Sequence, residues 1–176
     1  MPVETVLETE RLRLTNWSPD QVDDLMALHG DPIVTRFLDA DAAPWPRRKA
    51  AERLALWAQN FATHRMGKLR LIRKIDGVFV GRAGFGIYEP TGEPEIGFAL
   101  FPAHWGQGYA REAASGLRDW IFAETDWDHF IGLADVRNEA SLKVLREIGM
   151  SPTHVEKEPS GLQAQFFILN KDKLRG

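Results

Sequence analysis

The chain contains no cysteine, which removes disulfide frameworks, thiolate zinc sites and thiol nucleophiles together. It also lacks an excess of charge of either sign: 22 lysines and arginines stand against 25 aspartates and glutamates, for a net charge of -3. Without an overall basic field, a protein that lives mainly on the nucleic-acid backbone is disfavoured. No apolar run approaches the roughly 20 residues that span a bilayer, and Met1 to Glu10 alternates acidic and apolar residues without a signal-peptide core. No membrane partner is expected, and the natural reading is a cytoplasmic protein. Internal repeats, low-complexity tracts and long linkers are missing as well. What is present is 44% apolar residues in a chain of 176, enough to fill the core of one ordinary domain covering residues 1–176.

Leu7 to Trp17 alternates, with Leu12 and Leu14 facing one way and Arg11, Arg13 and Thr15 the other, and is expected to form a first strand. Ser18-Pro19-Asp20-Gln21 reads as a helix start, with Ser18 as N-cap, Pro19 at the first helical position and Gln21 completing a capping box. Its helix carries Val22, Leu25, Met26 and Leu28 and ends near Gly30. After Ala43-Pro44-Trp45-Pro46, the residues Ala50, Leu54, Trp57, Ala58 and Phe61 fall at helical spacing and predict a second helix closing before Gly67. From Lys68 the texture changes to short β-branched and aromatic runs broken at Asp76-Gly77 and Pro90-Thr91-Gly92, the pattern of strands joined by turns. Glu95 to Phe101 predicts a further strand, Gly106 to Thr125 a helix and Phe130 to Val136 a strand. A helix capped by Asn138 and stopped by Gly149 follows, then strands over Thr153 to Lys157 and Leu162 to Asn170. The expected fold class is α/β: one mixed sheet flanked by helices.

The most informative stretch is Pro94 to Ala114, PEIGFALFPAHWGQGYAREAA: a strand, a turn holding two glycines, and a helix opening directly from it. Backbone N–H groups in such a turn can converge on one anion, and the helix start adds unsatisfied donors and the positive end of its dipole. The same spacing also serves a turn that merely connects a strand to a helix. Two rival nucleotide signatures fail. A dinucleotide fingerprint needs a third glycine where Arg111 stands, and no Gly-Lys-Ser/Thr phosphate loop occurs in the chain.

These residues resemble the GCN5-related N-acetyltransferases, in particular the branch of the ribosomal-protein alanine N-acetyltransferases. The resemblance begins at Leu7-Glu8-Thr9-Glu10-Arg11-Leu12-Arg13-Leu14 and runs through Glu95-Ile96-Gly97-Phe98. It takes in Trp105-Gly106-Gln107-Gly108-Tyr109-Ala110 with Glu112-Ala113, then Asn138-Glu139-Ala140-Ser141 and Ile148-Gly149-Met150. Each motif alone is weak; four in the family's order and spacing are not. Ala103 stands where the family's loop most often has glutamine or arginine, a small departure if recognition is by backbone amides. The resemblance implies a largely antiparallel sheet, acetyl-coenzyme A as cosubstrate and a primary amine as acceptor. The cofactor contacts implied are Phe98, Leu100, His104, Trp105, Gly106, Gln107, Gly108, Tyr109, Ala110, Arg111, Asn138 and Ser141.

Several roles stay open in the sequence. Asn138 is an N-cap whatever else it does. Ser141 could touch the cofactor, protonate the leaving thiolate or hydrogen-bond at the helix start. Leu145 stands where many relatives outside this branch carry a tyrosine acid, so no tyrosine acid is implied. Glu95 shares a strand face with the small residues Gly97 and Ala99, while Ile96, Phe98 and Leu100 form the bulky face; it is the candidate base, or else a surface glutamate at a strand start. His29, His64, His104, His129 and His154 show no i,i+4 pairing, so no metal site is expected. His104, beside the turn, is the one kept as a candidate. Trp57 fits the core stripe, and Trp45 is the better candidate for an acceptor-site wall. The acceptor could be a protein N-terminus or a small molecule such as a polyamine, an antibiotic or an amino acid. A module that binds an acyl-coenzyme A and catalyses nothing is the other class. A homodimer is compatible with the resemblance, and no residue argues for it.

Overall fold

The computed structural model describes residues 2–175. Its centre is one eight-stranded sheet in the order β1 (Thr5–Glu8), β2 (Leu12–Thr15), β3 (Lys68–Arg73), β4 (Phe79–Tyr88), β5 (Glu93–Leu100), β6 (His129–Asp135), β8 (Gln163–Asn170) and β7 (Ser151–Lys157). Every neighbouring pair is antiparallel except β5 and β6, which run parallel. The helices are α1 (Val22–His29), α2 (Pro32–Thr35), α3 (Arg47–His64), α4 (Tyr109–Glu124) and α5 (Glu139–Glu147). None of the described helices is long and apolar enough to cross a membrane.

The expected single strand over Leu7 to Trp17 is instead a hairpin. Thr9 N–H donates to the Leu12 carbonyl at 2.9 Å, and the chain turns back so that Leu7 pairs with Leu14 and Glu8 with Arg13. Alternation of apolar and polar residues reads the same on both arms, so period alone could not show where the chain reversed. Leu12 and Leu14 are fully buried. The expected capping box is present, with the Gln21 side chain accepting from Ser18 N–H at 2.9 Å, and the Ser18 hydroxyl also donates to Asp20. α2 had no periodic signal, being a single turn opened by Asp31, whose carboxylate accepts from Ile33 N–H at 2.8 Å.

Two large apolar clusters and a smaller one of Leu28, Val34 and Ala99 hold the layers together. α4 and α5 lay Ala113, Ala114, Leu117, Ile121, Leu142 and Leu145 against Leu71, Phe85, Ile96, Phe130 and Phe167 of the sheet. α1 and α3 close a second cluster of Leu25, Ala50, Leu54 and the tryptophans Trp17, Trp45 and Trp57. Each fully buried leucine or phenylalanine stabilises the fold by roughly 1.5–3 kcal/mol.

The parallel pair positions the site. β5 and β6 are paired only at Glu95 with Ile131 and Ile96 with Gly132, after which they diverge. From Gly97 to Leu100, β5 keeps its β4 neighbour but has no strand on its other edge among the described residues, and the gap opens between the start of α4 and the start of α5.

Candidate active site

The turn that opens α4 has the conformation its glycines allow. Gly106 lies at φ 74° and Gly108 at φ 81°, the left-handed region that costs an ordinary residue about 1–2 kcal/mol. A β-carbon on Gly106 would meet nothing within 4 Å. Gly108 precedes Tyr109, so the N–H groups of the first helical turn are free of intrahelical partners. They form a donor set suited to a pyrophosphate.

The β1–β2 hairpin braces this turn. Arg11 donates from Nη1 to the Gln107 carbonyl at 2.9 Å, and its guanidinium lies over the Tyr109 ring. Glu112, in the first turn of α4, accepts from Thr9 Oγ1 at 2.6 Å, Arg11 N–H at 2.7 Å and Arg11 Nε at 2.7 Å. Burial works against the charge on Glu112, but the hydrogen bonds from Thr9 and Arg11 win and its pKa is lowered. A lowered carboxyl pKa means stabilisation that is present above the unfolded-state value and lost as pH falls through the folded one. Glu112→Gln is therefore expected to cost about 1–3 kcal/mol near neutral pH, with parent and variant converging as the medium is acidified below about pH 4. Urea unfolding at several pH values checks this; an equal gap at all of them would refute the charge-based clamp.

A cavity of about 610 Å³ runs from this turn to the gap between β5 and β6. Of the residues singled out from sequence, Phe98, Leu100, His104, Trp105, Gly106, Gly108, Tyr109, Ala110, Arg111, Asn138 and Ser141 all line it. Gln107 does not: its side chain folds back to the Ala103 carbonyl at 3.3 Å. Trp105 is half exposed and ties the turn to the strand through its Nε1, which donates to the Leu100 carbonyl at 2.9 Å. Sequence reasoning missed Arg36, Phe37 and Lys143, which also line the cavity. Arg36 and Lys143 join Arg111 in giving it a cationic rim, offset in part by Glu139 and Glu147.

A second cavity, of about 310 Å³, lies on the far side of Phe98 and contains Glu95 together with Lys68, Arg82, Trp45 and Trp57. Phe37, Leu38, Phe98, Asn138 and Ser141 line both cavities, so the two meet at the start of α5. There Asn138 Oδ1 accepts from Ser141 N–H at 3.3 Å, which fixes the helix start and leaves the Ser141 hydroxyl free of protein partners among the described residues. Leu145 borders the second cavity. Trp45 and Trp57 are both core and wall: each is buried in the α1–α3 cluster while one surface faces the cavity.

The space over Gly97 is not empty. A β-carbon there would lie 2.6 Å from Lys68 Nζ and 3.7 Å from both Arg82 Nη1 and Glu95 Oε1. Burial pushes the Lys68 ammonium down to about 8, opposed by the Glu95 charge and reinforced by Arg82. His29 is wholly buried, stacked on Trp45 at 3.9 Å, and accepts from Arg82 Nε at 3.0 Å through Nε2. Burial holds it neutral, with a pKa near 2. Arg82 had a signal in the sequence that went unused, since a charged residue within a run as apolar and small as Val80-Gly81-Arg82-Ala83-Gly84 is seldom placed there without a partner.

The sequence model of the family described as the acetyltransferase (GNAT) domain matches residues 11–151. The chain belongs to the GNAT acetyltransferases. It is 27% identical over 144 residues to the uncharacterized N-acetyltransferase p20 of Bacillus licheniformis, covering 81% of this chain and 80% of that protein. It is 31% identical over 158 residues to the FsC-acetyl coenzyme A-N(2)-transacetylase of Aspergillus fumigatus, covering 85% of this chain and 66% of that protein. In fold it matches RimL, a ribosomal alpha-N-protein acetyltransferase solved with coenzyme A, at a TM-score of 0.80 and 16% identity, covering 96% of this chain and 99% of that one. This GNAT protein is an acetyl-coenzyme A-dependent acyltransferase, and its sheet and helices are those of the family.

Proposed function

We propose that the enzyme transfers the acetyl group of acetyl-coenzyme A directly to a primary amine that enters through the second cavity. The observation that carries this reading is the meeting of the two cavities at Phe98, Asn138 and Ser141. An acyl donor in one and an amine in the other would face each other across that junction, which is the positioning that direct transfer requires.

Acetyl-coenzyme A supplies an acyl group already activated as a thioester. The chain's own residues do the rest. The free N–H groups at the start of α4 hold the pyrophosphate, and the unpaired edge of β5 from Gly97 to Leu100 offers strand-like hydrogen bonding to an extended chain. Glu95 takes the proton that an ammonium must lose before its nitrogen can attack. The Ser141 hydroxyl donates to the sulfur as the C–S bond breaks.

The acceptor proposed first is a small amine. The second cavity is roofed by residues 36–46 and by the β7–β8 turn, which approach until a β-carbon on Gly161 would lie 3.0 Å from that of Ala40. Trp45 Nε1 and Lys49 both bind the Asp39 carboxylate, at 3.2 and 2.9 Å, and fix that roof. A protein N-terminus is the second reading, supported by the likeness of fold to RimL.

Release of free thiol from acetyl-coenzyme A, followed against a panel of amines and peptides, tests the reaction itself; coenzyme A binding without any acceptor-dependent release would sink it. Ser141→Ala is expected to lower kcat about 10-fold or more without changing stability, because the cap uses the serine's backbone N–H. Asn138→Ala should instead lose about 1 kcal/mol of stability with the cap. Unchanged turnover and coenzyme A affinity in Ser141→Ala would remove that hydroxyl from the chemistry.

A further inference from the structure

The second cavity is lined by three cations, Arg53, Lys68 and Arg82, and by four carboxylates, Asp39, Glu95, Asp135 and Glu158. Arg82 is 7% exposed, and its Nε is committed to His29. Its two terminal Nη groups make no hydrogen bond to the protein among the described residues. Because Nε donates to His29 Nε2, the proton of that neutral ring sits on Nδ1, which already lacks a partner among the described residues, and the guanidinium cannot swing away without leaving the buried Nε2 acceptor unpaired as well. The Trp57 ring, 5.3 Å from the guanidinium carbon, backs the group on one side. Lys68 Nζ has one protein partner among the described residues, the Gly84 carbonyl at 3.3 Å. Two of the four acids that line the cavity are committed elsewhere, Asp39 to Lys49 and Trp45 and Asp135 to Arg137 at 2.7 Å. Of the other two, Glu95 is the one beside Gly97, close to both Lys68 and Arg82 but within 4 Å of neither among the described residues.

A buried guanidinium with its end-on fork unmet presents two parallel N–H groups in the geometry that a carboxylate accepts. Resting on the reading of this cavity as the acceptor site, we propose that Arg82 and Lys68 bind a carboxylate of the acceptor, and that the acceptor is a free amino acid or an equally compact amino carboxylate. Its ammonium faces Glu95 and its carboxylate faces the cation pair, all three protein groups gathering round Gly97, where a β-carbon would displace the Lys68 ammonium. A protein N-terminus has no such group, since its α-carboxyl is spent in the peptide bond. Arg82 and Lys68 are thereby specificity residues, and His29 is a positioning residue that acts through Arg82.

The test measures kcat/KM of the full-length enzyme for the free amino acids, their α-amides, and tripeptides beginning with the same residues. Phosphoethanolamine is compared with ethanolamine alongside. The best amino acid is expected to exceed its amide and its tripeptide by at least about 100-fold, the discrimination typical of a buried site built around a polar group of the substrate. Lys68→Met and Arg82→Met are expected to erase that preference chiefly through KM, and Arg82→Lys to keep part of it. Thermal melting and coenzyme A binding show whether the buried Arg82 variants fold, and Lys68→Met carries the test if they do not. Equal rates for acids and amides, a preference surviving in the folded variants, or a preference for the phosphate monoester alone would each overturn the proposal while leaving acetyl transfer standing. If no amine is acetylated by an enzyme that binds coenzyme A, the acetyl-transfer reading fails and this inference falls with it.

Discussion

Gly108→Asp is expected to weaken coenzyme A binding by at least about 100-fold while the protein still folds. Two effects act together and can be separated. The first is conformational: at φ 81° a β-carbon is strained, although aspartate and asparagine tolerate this region better than other residues. The second is electrostatic, because the new carboxylate would stand among the N–H groups proposed to receive the pyrophosphate. The β-carbon itself would sit 3.4 Å from Arg11 Nη2, so the aspartate can pair with Arg11. That pairing favours folding, but it draws Arg11 from the Gln107 carbonyl and leaves negative charge at the anion site. Gly108→Asn has nearly the same shape and no charge. It is expected to share the small loss of stability and to keep most of the affinity. Calorimetric titration with coenzyme A, run beside thermal melts, reads both quantities. A folded Gly108→Asp protein that binds as tightly as the parent would show that this turn does not hold the pyrophosphate.

The turn was legible in the sequence because its physics is local. Two glycines one residue apart, a preceding strand and an apolar stripe at Ala113, Ala114, Leu117 and Ile121 specify a strand–turn–helix whatever surrounds them. The same holds for Asn138 as a cap. The reversal at Thr9 to Arg11 was not legible, since both arms of a hairpin can share one alternating pattern and the turn carries no glycine or proline. Nor was the bracing of the α4 turn by Arg11 and Glu112, which stand 101 residues apart in the chain. The second cavity is the least local feature of all. Lys68, Arg82 and Glu95 lie on three strands, and only the register that pairs Gly84 with Gly97 and Lys68 with Gly84 brings them round one glycine. The strand face of Glu95 could be read from alternation, but what filled the space beside Gly97 depended on a lysine from two strands away.

That neighbourhood sets the expectation for Glu95→Gln, a substitution that keeps size and hydrogen-bonding reach and removes the charge. The acceptor reaches the cavity as an ammonium, and Lys68 and Arg82 both repel it, so Glu95 is the group that both attracts it and can take its proton. Without the carboxylate the ammonium is less welcome and has no nearby base, and turnover near neutral pH is expected to fall about 100-fold or more. Coenzyme A binding should survive, because Glu95 lies in the second cavity and not in the first. Raising the pH should recover part of the loss, since a growing share of the acceptor then arrives as free amine. Lys68 adds a second feature to the profile. The charge of Glu95 supports its protonation, so in the variant Lys68 gives up its proton more readily than in the parent and its neutral amine becomes a substitute base. The double variant Glu95→Gln with Lys68→Met is therefore expected to lose the recovery that comes from Lys68 and to keep only the part due to the free acceptor. Initial rates between pH 6 and pH 10, with coenzyme A affinity measured in parallel, decide the matter. A Glu95→Gln enzyme with parental turnover and a parental pH profile would leave Glu95 a structural residue of the strand and assign the proton to water.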